Sequence, residues 1–391
     1  MNKTVIKNAR IVTPDGLLEN AGISFNNGKI DEVGYFDIPE DTDYKVIDAE
    51  GGYAVAGFIE THVHGGGGYD FMDGSVEAFG EIVNNHASHG TTSICPTTIA
   101  CAEEEMFRLF EVYREAEGKR LDASLLGIHL EGPFISQVMK GAQPEAHVRC
   151  PSEREIDRIV DEAGDIVVRC SMAPEIECVE YAAKRLRAAN IGLSIAHSDA
   201  IAEDIFKAYD MGFDHITHFY CSNPTVRKIG QVRYAGIIEA AYLLDGMTVD
   251  LIGDGKHIPK TLMQTVVKLK GVDKVAVITD AMRAAGTDVS ESYLGRKCPE
   301  ARVIIEDGVA KLPDRSSFAG SIATSDVAFR TIVKDFGFDI CDASKMMSAL
   351  PAALCGVENK KGMLKKGYDA DIVLLNPDCQ IKNVWSMGKK I

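Results

Sequence analysis

Eight apolar, β-rich runs alternate with helical segments through the middle of the chain, and this alternation restricts the possible folds more than any other feature. Strands that are apolar throughout are typical of parallel sheets covered by helices on both faces. Eight such strands, each followed by a helix or a long loop, over about 230 residues match the size of a (β/α)8 barrel. The predicted strands are residues 53–62, 91–97, 124–131, 166–172, 192–197, 214–219, 247–252 and 274–280, and the clearest helices between them are residues 75–89, 101–117, 152–163 and 179–189.

The two ends of the chain have a different pattern. The first 53 residues predict short strands separated by turn residues, and Asn27-Gly28 between two alternating segments is a hairpin signal. The last residues repeat this pattern, with an apolar strand at 370–377 and a further short strand near Val384. We therefore expect an α/β fold: a TIM-type (β/α)8 barrel of residues 54–350 beside a small β-sandwich domain built from residues 1–53 and 351–391.

Composition and charge argue against several classes of function. The chain has 42 Lys and Arg residues against 58 Asp and Glu residues, a net charge of −16, so nucleic-acid binding through a basic face is not expected. No stretch approaches the roughly 20 apolar residues of a membrane helix, and the start lacks the apolar core of a signal peptide, which predicts a cytoplasmic protein without membrane contact. The ten cysteines include no Cys-x-x-Cys pair and predict reduced core residues, not zinc ligands or disulfides.

Side chains able to bind a metal follow the predicted strands where an active site would lie. In (β/α)8 barrels the catalytic residues stand at the carboxyl ends of the strands. His62 and His64 are two residues apart on an extended chain and so point to the same side. With the other strand-end residues, they match a mononuclear or dinuclear site for zinc, iron or manganese. The candidate residues are His62, His64, Glu131, His197, His218 and Asp280.

These residues lie in segments that resemble the amidohydrolase superfamily and, within it, the family of N-acetylglucosamine-6-phosphate deacetylases. The resemblance covers nearly the whole chain and implies a metal-dependent barrel beside a small β-sandwich made from both termini. The most specific segment is Leu130-Glu131-Gly132-Pro133. Other matching segments are residues 56–65, 89–92, 140–144, 279–282, 319–321 and 370–373, and the Asp254-Gly255-x-His257 motif.

The resemblance also implies roles for the strand-end residues. Glu131, His197 and His218 would bind the principal metal ion, and His62 with His64 a second, so the expected cofactor is one or two divalent ions of zinc, iron or manganese. The predicted fourth strand contains no Lys to bridge two metals, which leaves Glu131 as the bridge or the sole carboxylate. Asp280 would take a proton from the attacking water and deliver it to the leaving amine.

Substrate contacts follow from the same resemblance, with two departures from the family pattern. Arg227 and His257 are the expected phosphate contacts, since a phosphate needs charge-assisted donors. The loop after His218 lacks the usual Asn-Ala-Met, and Gln143 stands where members commonly have a His. The expected substrate-binding residues are Ala142, Gln143, Cys221, Ser222, Arg227, His257 and Ser321.

The expected activity is removal of the N-acetyl group of N-acetylglucosamine 6-phosphate, giving glucosamine 6-phosphate and acetate. The altered loop after His218 keeps two alternatives open for the substrate, N-acetylgalactosamine 6-phosphate and an unphosphorylated N-acetylhexosamine. A catalytically silent member of the family that only binds its ligand is a third alternative. A homodimer is expected because relatives share a phosphate contact between chains.

Overall fold

The first strands of the chain form antiparallel hairpins that begin a terminal sheet. The computed structural model describes residues 3–37 and 44–391, so residues 1, 2 and 38–43 of the predicted N-terminal segment lie outside the described residues. Asn27 and Gly28 have φ of 48° and 79°, the positive values that a two-residue hairpin turn requires. The strands are β1 (Thr4–Thr13), β2 (Gly16–Asn26), β3 (Lys29–Gly34), β4 (Lys45–Asp48) and β5 (Tyr53–Ala56).

Eight strands in the middle of the chain form a TIM-barrel-like domain. Six of them make one parallel sheet, and the other two pair in parallel with each other. Two isolated parallel bridges, Thr97 with His129 and Val63 with Ala281, join this pair to the two ends of the six-stranded sheet. The strands are β6 (Phe58–Val63), β7 (Thr91–Pro96), β8 (Ile128–Glu131), β9 (Val167–Met172), β10 (Gly192–Ile195), β11 (Phe213–Ile216), β12 (Thr248–Ile252) and β13 (Val275–Ile278).

Two of the predicted runs are divided in the structure. The run 53–62 is interrupted at Gly57, so that β5 belongs to the terminal sheet and β6 to the barrel. A Cβ atom at residue 57 would lie 2.1 Å from Thr92 Oγ1, and only glycine allows this close approach. The run 124–131 is divided in the same way: Ser124–Leu125 pairs with β7, and Gly127, with φ of 116°, separates it from β8.

Amphipathic helices follow most of the barrel strands and bury one face each. Ser75 and Ser152 cap two of them, because each side-chain oxygen accepts a hydrogen bond from a backbone N–H three residues later. In the described part of the chain, none of the helices has the length and apolar character needed to cross a membrane. The helices are α1 (Val76–Ser88), α2 (Glu103–Glu117), α3 (Glu153–Ala163), α4 (Val179–Ala188), α5 (Ala202–Met211), α6 (Ile237–Leu243), α7 (Lys260–Lys270), α8 (Ser325–Arg330), α9 (Ile340–Ser344) and α10 (Leu350–Leu354).

The last strands of the chain return to the terminal sheet. These are β14 (Ile372–Leu375), β15 (Ile381–Ser386) and β16 (Lys389–Lys390), and β14 pairs antiparallel with β5. Trp385, the single tryptophan of the sequence, is buried against the edge of Phe25 with ring centroids 5.8 Å apart. Both ends of the chain therefore share one sheet and one apolar core.

Short antiparallel strands lie in two of the loops that follow barrel strands. After β11, the segments Arg227–Ile229 and Val232–Tyr234 form a hairpin. After β13, the segments Glu291–Tyr293, Arg302–Glu306 and Val309–Lys311 form a three-stranded sheet. The second of these loops also contains Leu294 and Phe318, which border the cavity described next.

Candidate metal centre

Six side chains from five barrel strands meet at one point. His62 Nε2 lies 3.2 Å from His64 Nε2, and Asp280 Oδ1 lies 3.4 and 3.3 Å from these two nitrogens. Two groups of three, each including Glu131, bring their ligand atoms within 4.8 Å of one another. All the predicted strand-end residues are brought together and are buried: His62, His64, Glu131, His197, His218 and Asp280.

Three of these residues lie two positions beyond the end of their strand in left-handed backbone conformation. The φ angles are 47° at His197, 35° at His218 and 50° at Asp280. A residue other than glycine held in this region costs about 1–3 kcal/mol, and such residues cluster at functional sites. The surrounding barrel therefore maintains a strained backbone at three of the six positions where the side chains converge.

Glu131 lies between the two pairs of histidines, and each of its carboxylate oxygens faces a different pair. Oε1 is 3.2 Å from His197 Nε2 and 2.7 Å from His218 Nε2. Oε2 is 3.7 Å from His62 Nε2 and 3.4 Å from His64 Nε2. This is the arrangement of a carboxylate that can serve two neighbouring cation positions at once.

The hydrogen bonds on the far side of the imidazoles test whether these residues fit a metal ion. Three Nδ1–H groups donate to backbone carbonyls, which can only accept, so the proton of each neutral ring is on Nδ1 and the Nε2 lone pair faces the cluster. Metal-binding histidines are oriented by bonds of this kind. The donors and acceptors are His64 with Thr97 (3.3 Å), His197 with Met139 (2.9 Å) and His218 with Cys221 (3.1 Å). The donor set therefore fits a divalent transition metal.

The histidines of the cluster keep its two buried carboxylates, Glu131 and Asp280, ionised. Burial alone would raise the pKa of Asp280, but when the His62 and His64 rings carry a proton on Nε2 they donate to this carboxylate and bring its pKa well below the usual range, so the carboxylate is ionised. Burial likewise opposes ionisation of Glu131, whose pKa the neighbouring histidines hold well below its usual value. Two buried carboxylates facing imidazole nitrogens form a site that attracts cations.

Backbone hydrogen bonds where the barrel closes hold Asp280 against the His62-Val63-His64 segment. The N–H of Asp280 donates to the carbonyl of His62 at 3.2 Å, and the N–H of His64 donates to the carbonyl of Ala281 at 2.9 Å. The backbone of Ser321 adds a third contact, since its N–H donates to the Asp280 carbonyl at 2.7 Å. The position of Asp280 is thus fixed by the closure of the barrel itself.

A cavity of about 200 Å³ opens onto this cluster. Among the predicted substrate-binding residues, Gln143 has a second function, because its Nε2 donates to Glu131 Oε2 at 2.8 Å and its Oε1 accepts from the Ala100 N–H at 2.7 Å. The predicted residues that line the cavity are Ala142, Gln143, Cys221, Ser222 and His257.

Arg227 and Ser321 are not among the residues that line this cavity. The Arg227 guanidinium donates instead to the Asp199 carboxylate and to the Asp199 carbonyl. Ser321 is fully buried, and its Oγ accepts from the Ala323 N–H at 3.0 Å. Within this chain, Arg227 pairs with a carboxylate and Ser321 supports the backbone of Asp280.

Several residues around the site were left out of the predicted set of site residues. Asp254 accepts a hydrogen bond from the His257 ring, and Phe318 and Leu294 line the cavity. His129 is linked to the Ser171 hydroxyl at 2.6 Å, and burial lowers its pKa well below the usual range, so the ring is neutral. For Asp254, the Asp254-Gly255-x-His257 motif was the available sequence signal, because a carboxylate three residues before a histidine can form a hydrogen bond with its ring.

Comparison with known proteins agrees with this geometry. The N-acetylglucosamine-6-phosphate deacetylase of Bacillus subtilis (strain 168) is 31% identical over 383 residues, which cover 96% of this chain and 94% of that protein. The N-acetylgalactosamine-6-phosphate deacetylase of Escherichia coli O157:H7 is 27% identical over 386 residues, covering 98% of both chains. The crystal structure of N-acetylglucosamine-6-phosphate deacetylase from Thermotoga maritima matches with a TM-score of 0.86 and 31% identity over 99% of both chains.

The model of the amidohydrolase family matches residues 53–391, which include all eight barrel strands and all six residues of the cluster. This match and the relatives at 31% identity extend over far more than half of the chain. The chain therefore belongs to the amidohydrolase family and, within it, to the group of N-acetylglucosamine-6-phosphate deacetylases.

Proposed function

We propose that this chain hydrolyses the N-acetyl group of N-acetylglucosamine 6-phosphate to give glucosamine 6-phosphate and acetate. The observation that carries the proposal is the convergence of four imidazole Nε2 atoms and the carboxylates of Glu131 and Asp280 beside a cavity. The names of the relatives from Bacillus subtilis and Thermotoga maritima support the choice of substrate.

We further propose which residues hold the metal. Glu131, His197 and His218 would bind one divalent ion, and His62 and His64, with the other oxygen of Glu131, a second. Zinc, iron(II) and manganese suit this set of nitrogen and oxygen ligands. A divalent ion in such a site polarises the amide carbonyl and makes water a stronger nucleophile near neutral pH.

The residues of the chain supply proton transfer and orientation. Asp280 is ionised, lines the cavity and can accept a proton, so it would take the proton from the attacking water and pass it to the leaving amine. Gln143 donates to Glu131 Oε2 and thereby fixes the rotation of that carboxylate. His129 and Ser171, hydrogen-bonded to each other, support β8 next to Glu131.

The sugar would occupy the cavity between the cluster and His257. Ser222 and His257 are the candidate partners for its hydroxyl and phosphate groups, and Ala142, Gln143 and Cys221 complete the predicted wall. Arg227 remains a proposed phosphate contact only if its pairing with Asp199 is exchanged when the substrate binds. An Arg227→Ala variant should then show a raised KM for the phosphorylated sugar alone.

The organisation of the whole chain completes the proposal. Residues 54–350 would form a (β/α)8 barrel, and residues 1–53 and 351–391 a β-sandwich domain packed beside it. The functional unit would be a homodimer, for which sedimentation velocity is the direct measurement. A monomer at micromolar concentration would reject this part of the proposal.

The deciding experiment measures primary-amine release by protein reconstituted separately with zinc, iron(II) or manganese. The substrates are N-acetylglucosamine and N-acetylgalactosamine, each with and without the 6-phosphate. We expect a strong preference for N-acetylglucosamine 6-phosphate with at least one metal. Absence of activity on all four sugars, with metal bound, would reject the proposal in favour of a silent binding protein.

N-acetylgalactosamine 6-phosphate is the second candidate substrate. The relative from Escherichia coli O157:H7 named for that sugar is 27% identical over 98% of this chain, close to the figure for the first substrate. An unphosphorylated N-acetylhexosamine is favoured by a different observation: among the described residues that line the cavity there is no Lys or Arg. The four-sugar comparison separates these possibilities.

A further inference from the structure

His257 is held in place by a carboxylate that follows the end of β12. Asp254 Oδ2 accepts a hydrogen bond from His257 Nδ1 at 2.7 Å. Asp254 Oδ1 accepts from the backbone N–H groups of Lys256 and His257 at 2.8 and 2.9 Å, which closes a tight turn. The side chains of Asp254 and His257 are only 3% and 6% exposed, so this pair is shielded from competing water.

A phenylalanine holds the same ring from a second direction. The Phe318 ring lies edge-on to His257 with ring centroids 4.8 Å apart. Phe318 is 41% exposed and also lines the cavity, as His257 does. With Nδ1 engaged by Asp254 and the ring packed against Phe318, Nε2 is the nitrogen of His257 that remains for a ligand.

The charge distribution around the cavity makes this nitrogen important. The lining residues in the described part of the chain include two carboxylates, Glu131 and Asp280, and no Lys or Arg. Apart from the cluster histidines, His257 is the lining side chain that can become cationic. An anionic group at this end of the cavity would therefore depend on His257 for charge.

We propose that Asp254 and Phe318 are positioning residues that hold His257 with Nε2 directed to an anionic substituent of the ligand, the 6-phosphate if the proposed function is right. The Asp254 carboxylate accepts the Nδ1–H bond, so in the doubly protonated ring Nε2–H is the donor that faces the anion. Phe318 limits rotation of the ring, so that less conformational freedom is lost when the anion binds. The inference rests on the proposed function only for the identity of the anion.

The principal test is the Asp254→Asn variant, which keeps the Oδ1 acceptor of the turn and replaces Oδ2 with an amide that donates. The His257 ring must then accept at Nδ1 and loses the neighbouring negative charge. We expect the KM for N-acetylglucosamine 6-phosphate to rise about tenfold, the loss of one charge-assisted hydrogen bond, while kcat stays within about twofold. The KM for N-acetylglucosamine should not change.

Asp326→Asn provides the matched control. Asp326 also accepts a hydrogen bond from a histidine ring, that of His89, at 3.0 Å, but neither residue lines the cavity. This variant should leave both KM values unchanged. Equal effects of Asp254→Asn on both sugars, or a fall in kcat alone, would overturn the proposal by assigning Asp254 a purely structural role.

A second variant keeps the proposal testable if Asp254→Asn does not fold. Phe318 is partly exposed, so Phe318→Ala should fold, and we expect about a threefold rise in KM confined to the phosphorylated sugar because the ring is less restrained. No selective effect in this variant would overturn the role of Phe318 in positioning.

A binding measurement separates this inference from the proposed function. If the wild-type protein hydrolyses none of the four sugars, the proposed function fails, and inorganic phosphate then serves as the probe in a calorimetric titration. We expect the wild type to bind phosphate more tightly than Asp254→Asn by about tenfold. Equal affinities, or no binding by either protein, would overturn the inference.

Discussion

Glu131 is the residue on which the candidate centre most depends, because its two oxygens face two different pairs of histidines. Replacing the Glu131 carboxylate with a neutral group would weaken both cation positions. Replacing one histidine would weaken only the position that this histidine faces. The carboxylate is also fixed by Gln143, so it cannot easily rotate to compensate for a lost partner. This asymmetry leads to a prediction about metal content.

The Glu131→Gln variant should lose most of its metal at both positions, while His64→Asn should keep the ion held by His197 and His218. Elemental analysis after dialysis gives the stoichiometry of each variant. The control is Glu145→Gln, a loop carboxylate whose side chain is 72% exposed. If Glu131→Gln retained the full wild-type metal content, the shared role of Glu131 would be wrong.

Asp280 has a different role from the proposed ligands, and its removal should separate chemistry from metal binding. We expect Asp280→Asn to lower kcat by about 10²- to 10⁴-fold, the usual contribution of a general acid–base group, because an amide cannot accept the proton. Metal content should remain near that of the wild type. The measurement is turnover of metal-loaded protein, and near-wild-type turnover would reject the role of Asp280.

The residues of the cluster were predictable from sequence, but their backbone conformation was not. Alternate residues of an extended strand point to the same face, so His62 and His64 were expected to lie side by side. The active site of a barrel lies at the carboxyl ends of its strands, and this rule predicted the location of Glu131. The positive φ at His197, His218 and Asp280 depends on the closed barrel around them, which no local pattern encodes. The pairing of Arg227 with Asp199 is similarly a product of the tertiary fold.

At the scale of secondary structure, helix α1 contacts the four consecutive glycines that follow His64, residues 65–68, through a buried histidine. His86 Nε2–H donates to the Gly65 carbonyl at 3.0 Å. Burial lowers the pKa of His86 from its usual 6.5 to about 4, although the bond to Gly65 opposes this effect. The folded protein therefore keeps His86 neutral at a pH where the unfolded chain protonates it.

This difference makes stability depend on pH in a defined direction. The contribution of neutral His86 is fully present above about pH 6.5 and is lost as the pH falls toward 4, by about 3 kcal/mol in total. The His86→Gln variant retains an N–H donor without the titration, so its stability relative to the wild type should improve between pH 6.5 and 4. Urea unfolding across this range is the measurement, with His147→Gln as control, and parallel curves for wild type and His86→Gln would contradict the prediction.

Helices and strands were predicted well where their signals are local and poorly where a glycine divides an apolar run. Ser75 and Ser152 precede helices α1 and α3, as their capping ability suggests. The division of residues 53–62 at Gly57 was not foreseen, because the requirement for glycine there comes from Thr92 on a neighbouring strand. Apolar periodicity reports burial and carries no information about which sheet buries the strand.

Across the whole molecule, a buried ion cluster ties the N-terminal hairpin to the C-terminal segment. Lys361 Nζ lies 2.7 Å from Asp371 Oδ2 and 3.1 Å from Asp369 Oδ2, and all three side chains are about 5% exposed or less. Lys29, the first residue of β3, donates to Asp369 at 2.6 Å. The two ends of the chain are thus joined by charge as well as by strand pairing.

Breaking this cluster should destabilise the protein strongly. We expect Lys361→Met to lower the free energy of unfolding by about 3–5 kcal/mol, because the buried Asp371 carboxylate loses its cation and Asp369 keeps only Lys29. The exposed pair Lys382–Glu50 provides the control, since Lys382→Met should cost no more than about 1 kcal/mol. Denaturant unfolding followed by the emission of Trp385 measures both, and similar losses in the two variants would contradict the special role of the buried cluster.

The contact between the last and first barrel strands joins the first and the last residues of the candidate centre to be synthesised. His62 and His64 leave the ribosome early, Glu131, His197 and His218 follow, and Asp280 comes last, with its N–H bonded to the His62 carbonyl and the Ala281 carbonyl bonded to His64. A nascent chain that has not yet reached β13 holds every proposed ligand but lacks its proton acceptor. Catalytic competence therefore coincides with closure of the barrel.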